Sequence, residues 1–177
     1  MATSPAARGE RAPLLARTLL RATPGAVGAD FALLAVRVAL VWIFTYYGAG
    51  KLFGWFHGPG LNRTAVYFAG TAHLRPGMFF AVLGGVIEFG GACAMALGLL
   101  TRVAGLALAG DQIMAMITVT WTNGINSLST TPGYEFNLTL CVLSVVVVIF
   151  GAGRLSVDTL WGRRLQCAAS SSAPVTP

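Results

Sequence analysis

Charge is scarce in this sequence. Only 10% of the 177 residues are Asp, Glu, Lys or Arg, and a single lysine, Lys51, stands against eleven arginines. Soluble globular domains carry about 25% charged residues, whereas 55% of this chain is hydrophobic and its mean hydropathy is +0.71. The composition therefore indicates a membrane protein, in which every charge inside an apolar run needs a physical reason.

Redox and metal-binding motifs are also absent from the sequence. The cysteines Cys93, Cys141 and Cys167 form no CxxC pair, and neither His57 nor His73 lies at a ligand spacing from any of them. Haem bound between facing helices would need its axial ligands within the apolar runs, and both histidines fall outside these runs. We therefore expect no metal site and no tightly bound haem or flavin in the isolated chain.

Four apolar runs dominate the chain. They cover about 31–50, 77–100, 103–121 and 135–151. Each is close to the ~20 residues that a helix needs to cross ~30 Å of hydrocarbon, and helices satisfy their own backbone groups in lipid. The predicted fold class is all-α membrane, a four-transmembrane-helix bundle, with a short interfacial helix in the loop between the first two spans.

Basic residues flank the predicted bundle unevenly. Eight arginines belong to the N-terminal arm, the second loop and the C-terminal segment, whereas Lys51, Arg63 and Arg75 fall on the other side. The positive-inside rule then predicts a multi-pass protein of the bacterial inner membrane with both termini in the cytoplasm. Segment ends and lipid headgroups account for the net charge of +6, so no nucleic-acid partner is expected.

The same pattern divides the chain into three parts. Residues 1–30 are expected to form a basic cytoplasmic arm and residues 31–160 the transmembrane domain. Residues 161–177, rich in Ser, Ala and Pro, are expected to form a largely disordered cytoplasmic tail.

Polar side chains within the runs form the candidate site. Glu88 and Asp111 lie at the centres of the second and third runs, among small residues that let a neighbouring helix approach. Arg37 and Lys51 share a face of the first helix, and Asn137 begins an inward stripe on the fourth. We predict that these five residues form an intramembrane polar cluster, with Glu88 paired to Lys51 or Arg37.

Three explanations of these buried charges remain open. They can hold the helices together as ion pairs, they can bind or transfer a proton, an ion or a polar headgroup, or one or both acids can be neutral. Glu135 and Asp158 are predicted at the boundaries of the transmembrane region. Gly90, Ala94 and Gly98 form a ridge of small residues, for which we predict tight packing inside the bundle.

The order of these signals resembles the DoxX family of small four-helix membrane proteins. The resemblance covers about 29–160 and includes Arg37 in the first helix. The other matching segments are 48–55 (GAGKLFGW), 85–91 (GVIEFGG), 96–102 (ALGLLTR), 133–135 (GYE) and 151–158 (GAGRLSVD). The resemblance implies signature positions at Lys51, Glu88 and Asp158, without assigning their roles. It also implies a link to terminal oxidases and to thiosulfate-to-quinone electron transfer.

Two functional hypotheses follow. The first is an accessory subunit of a membrane oxidoreductase system that is linked to quinone or to thiol and oxidative-stress chemistry. This hypothesis implies an oxidoreductase partner protein and makes a quinone the candidate ligand. The second is a non-enzymatic scaffold, assembly factor or small-solute carrier whose polar interior binds a solute. Neither assigns a catalytic residue, and a homo-oligomer is compatible with both. Co-purifying partners would discriminate between them.

Overall fold

The computed structural model of the protein describes residues 26–125 and 132–151, together with residues 153 and 156. Over this part of the chain all regular structure is helical. The helices are α1 (Ala26–Phe53), α2 (Gly60–Gly70), α3 (Gly77–Leu97), α4 (Thr101–Ala115) and α5 (Glu135–Phe150). Helix α4 continues through a π-helical turn, Met116–Thr120, and a 3-10 turn, Trp121–Asn123.

Three helical segments are long and apolar enough to cross a membrane: Val27–Phe53, Gly77–Leu97 and Thr101–Asn123. Helix α5 is apolar as well, but its 16 residues rise only about 24 Å. Large apolar side chains remain exposed on the outer faces of the helices, as expected where helices meet lipid. The predicted all-α membrane bundle is confirmed, with α5 as its shorter member, and its helices contact the lipid bilayer.

Helix α1 packs along α3 in antiparallel order, and glycines bring the two backbones together. A β-carbon at Gly48 would lie 2.5 Å from the backbone nitrogen of Phe89, and one at Gly85 would lie 2.6 Å from Leu52 Cδ2. Helix α4 packs on both α3 and α5. Between these helices lies a core of fully buried apolar side chains, which includes Leu40, Phe44, Met95, Leu108 and Val147.

The turn between α3 and α4 is tight, because only residues 98–100 separate the two helices. Gly98 adopts a left-handed conformation (φ 66°), and its amide donates to the Met95 carbonyl while the Leu99 amide donates to the Ala94 carbonyl. This pattern closes the C-terminal end of α3.

The predicted ridge of small residues is only partly a packing surface. Glu88 and Gly90 are about 200° apart on the helix, so an inward Glu88 turns Gly90 outward. Gly90 is exposed, and a β-carbon there would meet nothing within 4 Å. The prediction of tight packing is therefore wrong for Gly90. Gly91 makes the close contact instead, against Leu108.

The segment between α1 and α2 folds back over the end of α1. The backbone of Gly58 packs directly on the backbone of Gly50 in α1. A β-carbon at Gly58 would collide with the Gly50 Cα atom, so a larger residue does not fit there. The Phe56 ring stacks on Tyr46 at 5.3 Å. Helix α2 is the predicted short helix, and it packs against the first half of α3, where Gly77 lies against Ala65.

Most of the two predicted flanking parts falls outside the described residues. This applies to residues 1–25 of the basic arm and to the whole of 161–177. The division into 1–30, 31–160 and 161–177 therefore stays a prediction.

Candidate functional site

The centre of the candidate site is an ion pair between α1 and α3. Lys51 Nζ lies 2.8 Å from Glu88 Oε1, and the side chains are 23% and 5% exposed, respectively. The two helices approach each other closely at Gly48 and Phe89. Gly48 lies about one turn before Lys51, and Phe89 follows Glu88 directly, so this close approach brings Lys51 and Glu88 within reach of each other. The predicted pairing of Glu88 is thus confirmed, with Lys51 as the partner.

The ion pair lies deeper in the bundle than the position of Lys51 in the sequence suggests. Lys51 is two residues from the end of α1, whereas Glu88 is eleven residues into α3, about 16 Å from its start. The contact between them therefore places the end of α1 level with the middle of α3. Helix α2 and the segment 54–59 occupy the space beyond it.

Asp111 on α4 lies beside the ion pair and interacts electrostatically with both Lys51 and Glu88. Gly84 on α3 leaves room for it, since a β-carbon there would lie 3.5 Å from Asp111 Oδ1. Gln112 Nε2 donates to Asp111 Oδ2 at 3.1 Å. One ammonium group and two carboxyl groups therefore meet between α1, α3 and α4.

One acceptor in this group has no partner. Glu88 Oε1 accepts from Lys51, but Glu88 Oε2 is buried and has no hydrogen-bond partner among the described residues. An unsatisfied oxygen on a buried charged group costs about 1–3 kcal/mol or more, so such atoms in native proteins call for an explanation. A proton shared between the neighbouring carboxyl groups of Glu88 and Asp111 would remove that cost.

The polar group forms part of the wall of a cavity of about 990 Å³. Its walls come from the end of α1, from α2, from the first half of α3, and from α4 and the start of α5. Lys51, Glu88, Asp111 and Asn137 all line it, together with aromatic rings. The irregular segment 55–59 lines it too, and non-helical backbone at membrane depth is tolerated where it borders a cavity.

The cavity extends to the outer surface of the helices. Leu83 on α3 and Leu106 and Met114 on α4 line it and are also exposed on the lipid-facing side. This part of the cavity wall therefore lies next to the lipid-facing surface. Trp55, Phe56 and Arg63 border the cavity at the level of the loop between α1 and α2.

The structure separates Arg37 from the other predicted site residues. Arg37 lies fourteen residues before Lys51, which is about 21 Å along α1. Its buried guanidinium group donates from Nε and Nη2 to the Met95 carbonyl, at 3.2 and 2.6 Å. A cation at the C-terminal end of a helix satisfies a carbonyl there and interacts favourably with the helix dipole.

Of the two predicted boundary residues, the structure describes only Glu135, which is not among the residues that line the cavity. Glu135 is exposed and begins α5, where an acidic side chain in the first turn suits the helix dipole. Asp158 lies outside the described residues.

Sequence reasoning did not identify several residues of the site. Gln112 is buried beside Asp111, and a glutamine within an apolar run was a visible signal for it. Thr64 and Phe68 of α2 also line the cavity, and Lys51 Nζ lies 6.0 Å from the centroid of the Phe68 ring. Their role follows from the packing of α2 on α3, which no local sequence pattern encodes.

The fold and the site together define a small polytopic membrane protein with a charged group in a cavity between its helices. The model of the DoxX family matches residues 32–121 of the chain, which is half of its length. The chain belongs to the DoxX family, as its motifs suggest. No curated protein and no solved structure matches the chain.

Proposed function

We propose that this protein is an accessory membrane subunit of an oxidoreductase system and that its cavity binds the ring of a lipid-soluble quinone. The observation that carries the proposal is the cavity itself, which combines aromatic walls with the ion pair of Lys51 and Glu88. Ligand sites are typically concave, mostly apolar and about 300–1,000 Å³ in volume, with a few polar groups that fix the orientation of the ligand. A volume of about 990 Å³ accommodates a substituted ring and the first part of a tail.

The residues present fit such a ring. Tyr47, Phe68 and Phe136 offer flat apolar surfaces around the cavity, and the polar side chains of Lys51 and Glu88 form part of the same wall. The ring substituents would meet the polar groups on Lys51, Glu88 and Asp111. A bound quinone would supply two-electron, two-proton redox chemistry, and the carboxyl groups beside it are of the kind that hold or accept protons.

The position of the cavity beside the lipid-facing surface supports a ligand that arrives from the bilayer. The side chains that border it, including Leu83 and Leu106, are apolar and exposed. A water-soluble solute would have to cross these side chains or enter at the loop between α1 and α2. A quinone exchanges electrons with a second redox centre, and we propose that a partner protein of the complex carries that centre.

The location of the protein belongs to the same proposal. The unequal distribution of arginine supports an inner-membrane protein of a bacterium with both termini in the cytoplasm. An oxidoreductase partner would then dock on either the cytoplasmic segments or the opposite face.

The test is purification of the tagged protein in mild detergent, followed by mass spectrometry of the bound lipids and proteins. We expect a quinone at near-stoichiometric amount and an oxidoreductase among the bound proteins. A matched sample that carries Lys51→Met and Glu88→Gln together should lose the quinone and retain the partner. Protein that carries neither a quinone nor an oxidoreductase would contradict the proposal. It would favour the alternative of a scaffold, assembly factor or small-solute carrier.

A further inference from the structure

We infer that Glu88 and Asp111 hold one proton between their carboxyl groups, so that together with Lys51 they form an electrically neutral proton-binding site inside the bundle. This inference goes beyond the proposed function, because it concerns the charge state of the protein itself and holds whatever ligand the cavity binds. It rests on the packing of three helices and on the hydrogen-bonding atoms that they bring together.

The packing of α3 on α4 turns Glu88 towards Asp111. One turn before Glu88, a β-carbon at Gly84 would lie 3.5 Å from Asp111 Oδ1, and about one turn after it, a β-carbon at Gly91 would lie 2.9 Å from Leu108 Cγ. Glu88 is buried between these two contacts. The carboxyl groups of Glu88 and Asp111 therefore come within hydrogen-bonding range of each other.

A hydrogen bond between these two groups needs a proton that neither carboxylate supplies. Lys51 Nζ donates to Glu88 Oε1 at 2.8 Å, and Gln112 Nε2 donates to Asp111 Oδ2 at 3.1 Å. Glu88 Oε2 is buried and has no donor among the described residues. An ionised carboxyl group only accepts hydrogen bonds, whereas a protonated one also donates. One proton on either group thus satisfies Oε2 and links α3 to α4.

The charges of the three side chains lead to the same number of protons. With both acids ionised, two negative charges face the single ammonium group of Lys51, and an unbalanced charge inside a membrane protein is costly. Neighbouring carboxyl groups that share a site bind one proton jointly. One bound proton makes the sum of the charges zero, whereas a second would leave Lys51 without a counter-charge.

The other titratable side chains on the cavity wall lie nearer to its surface. They come from α1, α2 and the segment between them, and α5 adds none to the described wall: Tyr46, Tyr47, His57, Arg63 and Tyr67. All five are exposed, whereas the Glu88 side chain is only 5% exposed. Lys51 and Asp111 are therefore the groups that set the charge state of Glu88.

A metal cation fits the position of this proton poorly. Hard cations such as Ca²⁺ and Mg²⁺ take about six or more oxygen ligands. The described part of the chain contains no group of three or more His, Cys, Asp or Glu side chains that could hold a metal ion. The ammonium group of Lys51 also lies 2.8 Å from the other oxygen of the same carboxyl group, so it would repel a cation at Oε2.

The test is infrared spectroscopy of the purified protein in detergent at neutral pH, where exposed carboxyl groups are ionised. We expect the carbonyl stretch of one protonated carboxyl group per protein, with a shift when the solvent is exchanged for heavy water. The wild-type spectrum alone is decisive. If it contains no such band, both acids are ionised, a bound water or a cation satisfies Oε2, and the inference is wrong.

A matched pair of variants assigns the proton. Asp111→Asn replaces one carboxyl group with an amide whose N–H can donate to Glu88, so the band should disappear while the ion pair with Lys51 remains. Glu135→Gln removes an exposed acid that is not part of the cavity wall, and it should retain the band. A band that persists in Asp111→Asn, or that both variants lose, would place the proton elsewhere and contradict the inference.

The pH dependence of stability provides an independent measurement. The folded wild type retains a proton that the unfolded chain releases, because unfolded carboxyl groups are ionised above about pH 5. From about pH 5 to 7, the unfolding equilibrium constant should therefore rise with pH more steeply in the wild type than in Asp111→Asn, by up to about tenfold per pH unit. His57 and His73 are present in both proteins, so their contributions cancel in this comparison. Equal slopes would overturn the inference.

Discussion

At the scale of single residues, the position of Lys51 governs the site. It is the only lysine in the sequence, and it reaches a carboxylate in the middle of α3 rather than water or headgroups. A lysine at a membrane boundary usually extends towards the interface. Here the close helix crossing at Gly48 and the presence of Glu88 hold it inside the bundle.

Removal of one partner of this ion pair should destabilise the protein. Lys51→Met or Glu88→Gln should each lower the free energy of unfolding by about 3–5 kcal/mol, because the remaining group is left buried without its partner. The measurement is thermal unfolding in detergent. The double variant Lys51→Met/Glu88→Gln should recover part of the loss. Single variants as stable as the wild type would show that water or a ligand already compensates the charges.

Sequence reasoning at this scale succeeded where it used helix geometry and failed where it needed tertiary distances. The spacing of Arg37 and Lys51 places both on one face, and the small residues around Glu88 indicate an inward side chain. Only the register of α1 against α3 shows that Lys51 reaches Glu88 whereas Arg37 reaches the Met95 carbonyl. That register depends on the backbone contact at Gly48.

Arg37 should stabilise the end of α3 without contributing to the cavity. Arg37→Ala removes two charged hydrogen bonds to one carbonyl and should lower the free energy of unfolding by about 1.5–3 kcal/mol. Ligand affinity, measured by calorimetry in the folded variant, should stay at the wild-type value. A loss of affinity without a loss of stability would contradict the separation of Arg37 from the site.

At the scale of helices, the crossing of α1 and α3 is the contact that assembles the site. A β-carbon at position 48 would collide with the backbone of Phe89. A β-carbon at position 90, on the outer face of α3, would meet nothing within 4 Å. The two glycines therefore provide a matched comparison within one helix pair.

Gly48→Ala should separate α1 from α3, lower the thermal stability in detergent and abolish ligand binding. Gly90→Ala should be neutral or slightly stabilising, because alanine has the higher helix propensity. Both variants can be compared by thermal unfolding and calorimetry. A Gly48→Ala variant that matches Gly90→Ala in stability and binding would show that the helices are not held in this register.

The break between α1 and α2 is the part of the architecture that hydropathy predicts least well. The sequence indicates a short helix in the loop, and the structure places it at Gly60–Gly70. Its packing against α3 depends on long-range contacts, such as the approach of Ala65 to Gly77. Run length and composition predict the spans well because the lipid thickness imposes them, but they carry no information about these contacts.

At the scale of the whole molecule, topology is the first property to test. Lys51 belongs to the buried site, so the basic residues expected outside reduce to Arg63 and Arg75, against eight arginines on the other side. Reporter fusions after residue 177 should report cytoplasm, and insertions within 123–133 should report the exterior. An exterior C-terminus would contradict a bundle with both ends in the cytoplasm.

The central claim is that the cavity beside Lys51 and Glu88 holds a membrane-soluble ring, and photoaffinity labelling tests it most directly. The purified protein would be illuminated with an azido-benzoquinone that carries a decyl tail, and the labelled peptides would be mapped by mass spectrometry. The account predicts saturable labelling of cavity residues on α2, α3 and α4, which an excess of unlabelled hydroquinone suppresses. Labelling confined to outward side chains such as Trp42, or labelling that no competitor reduces, would contradict it.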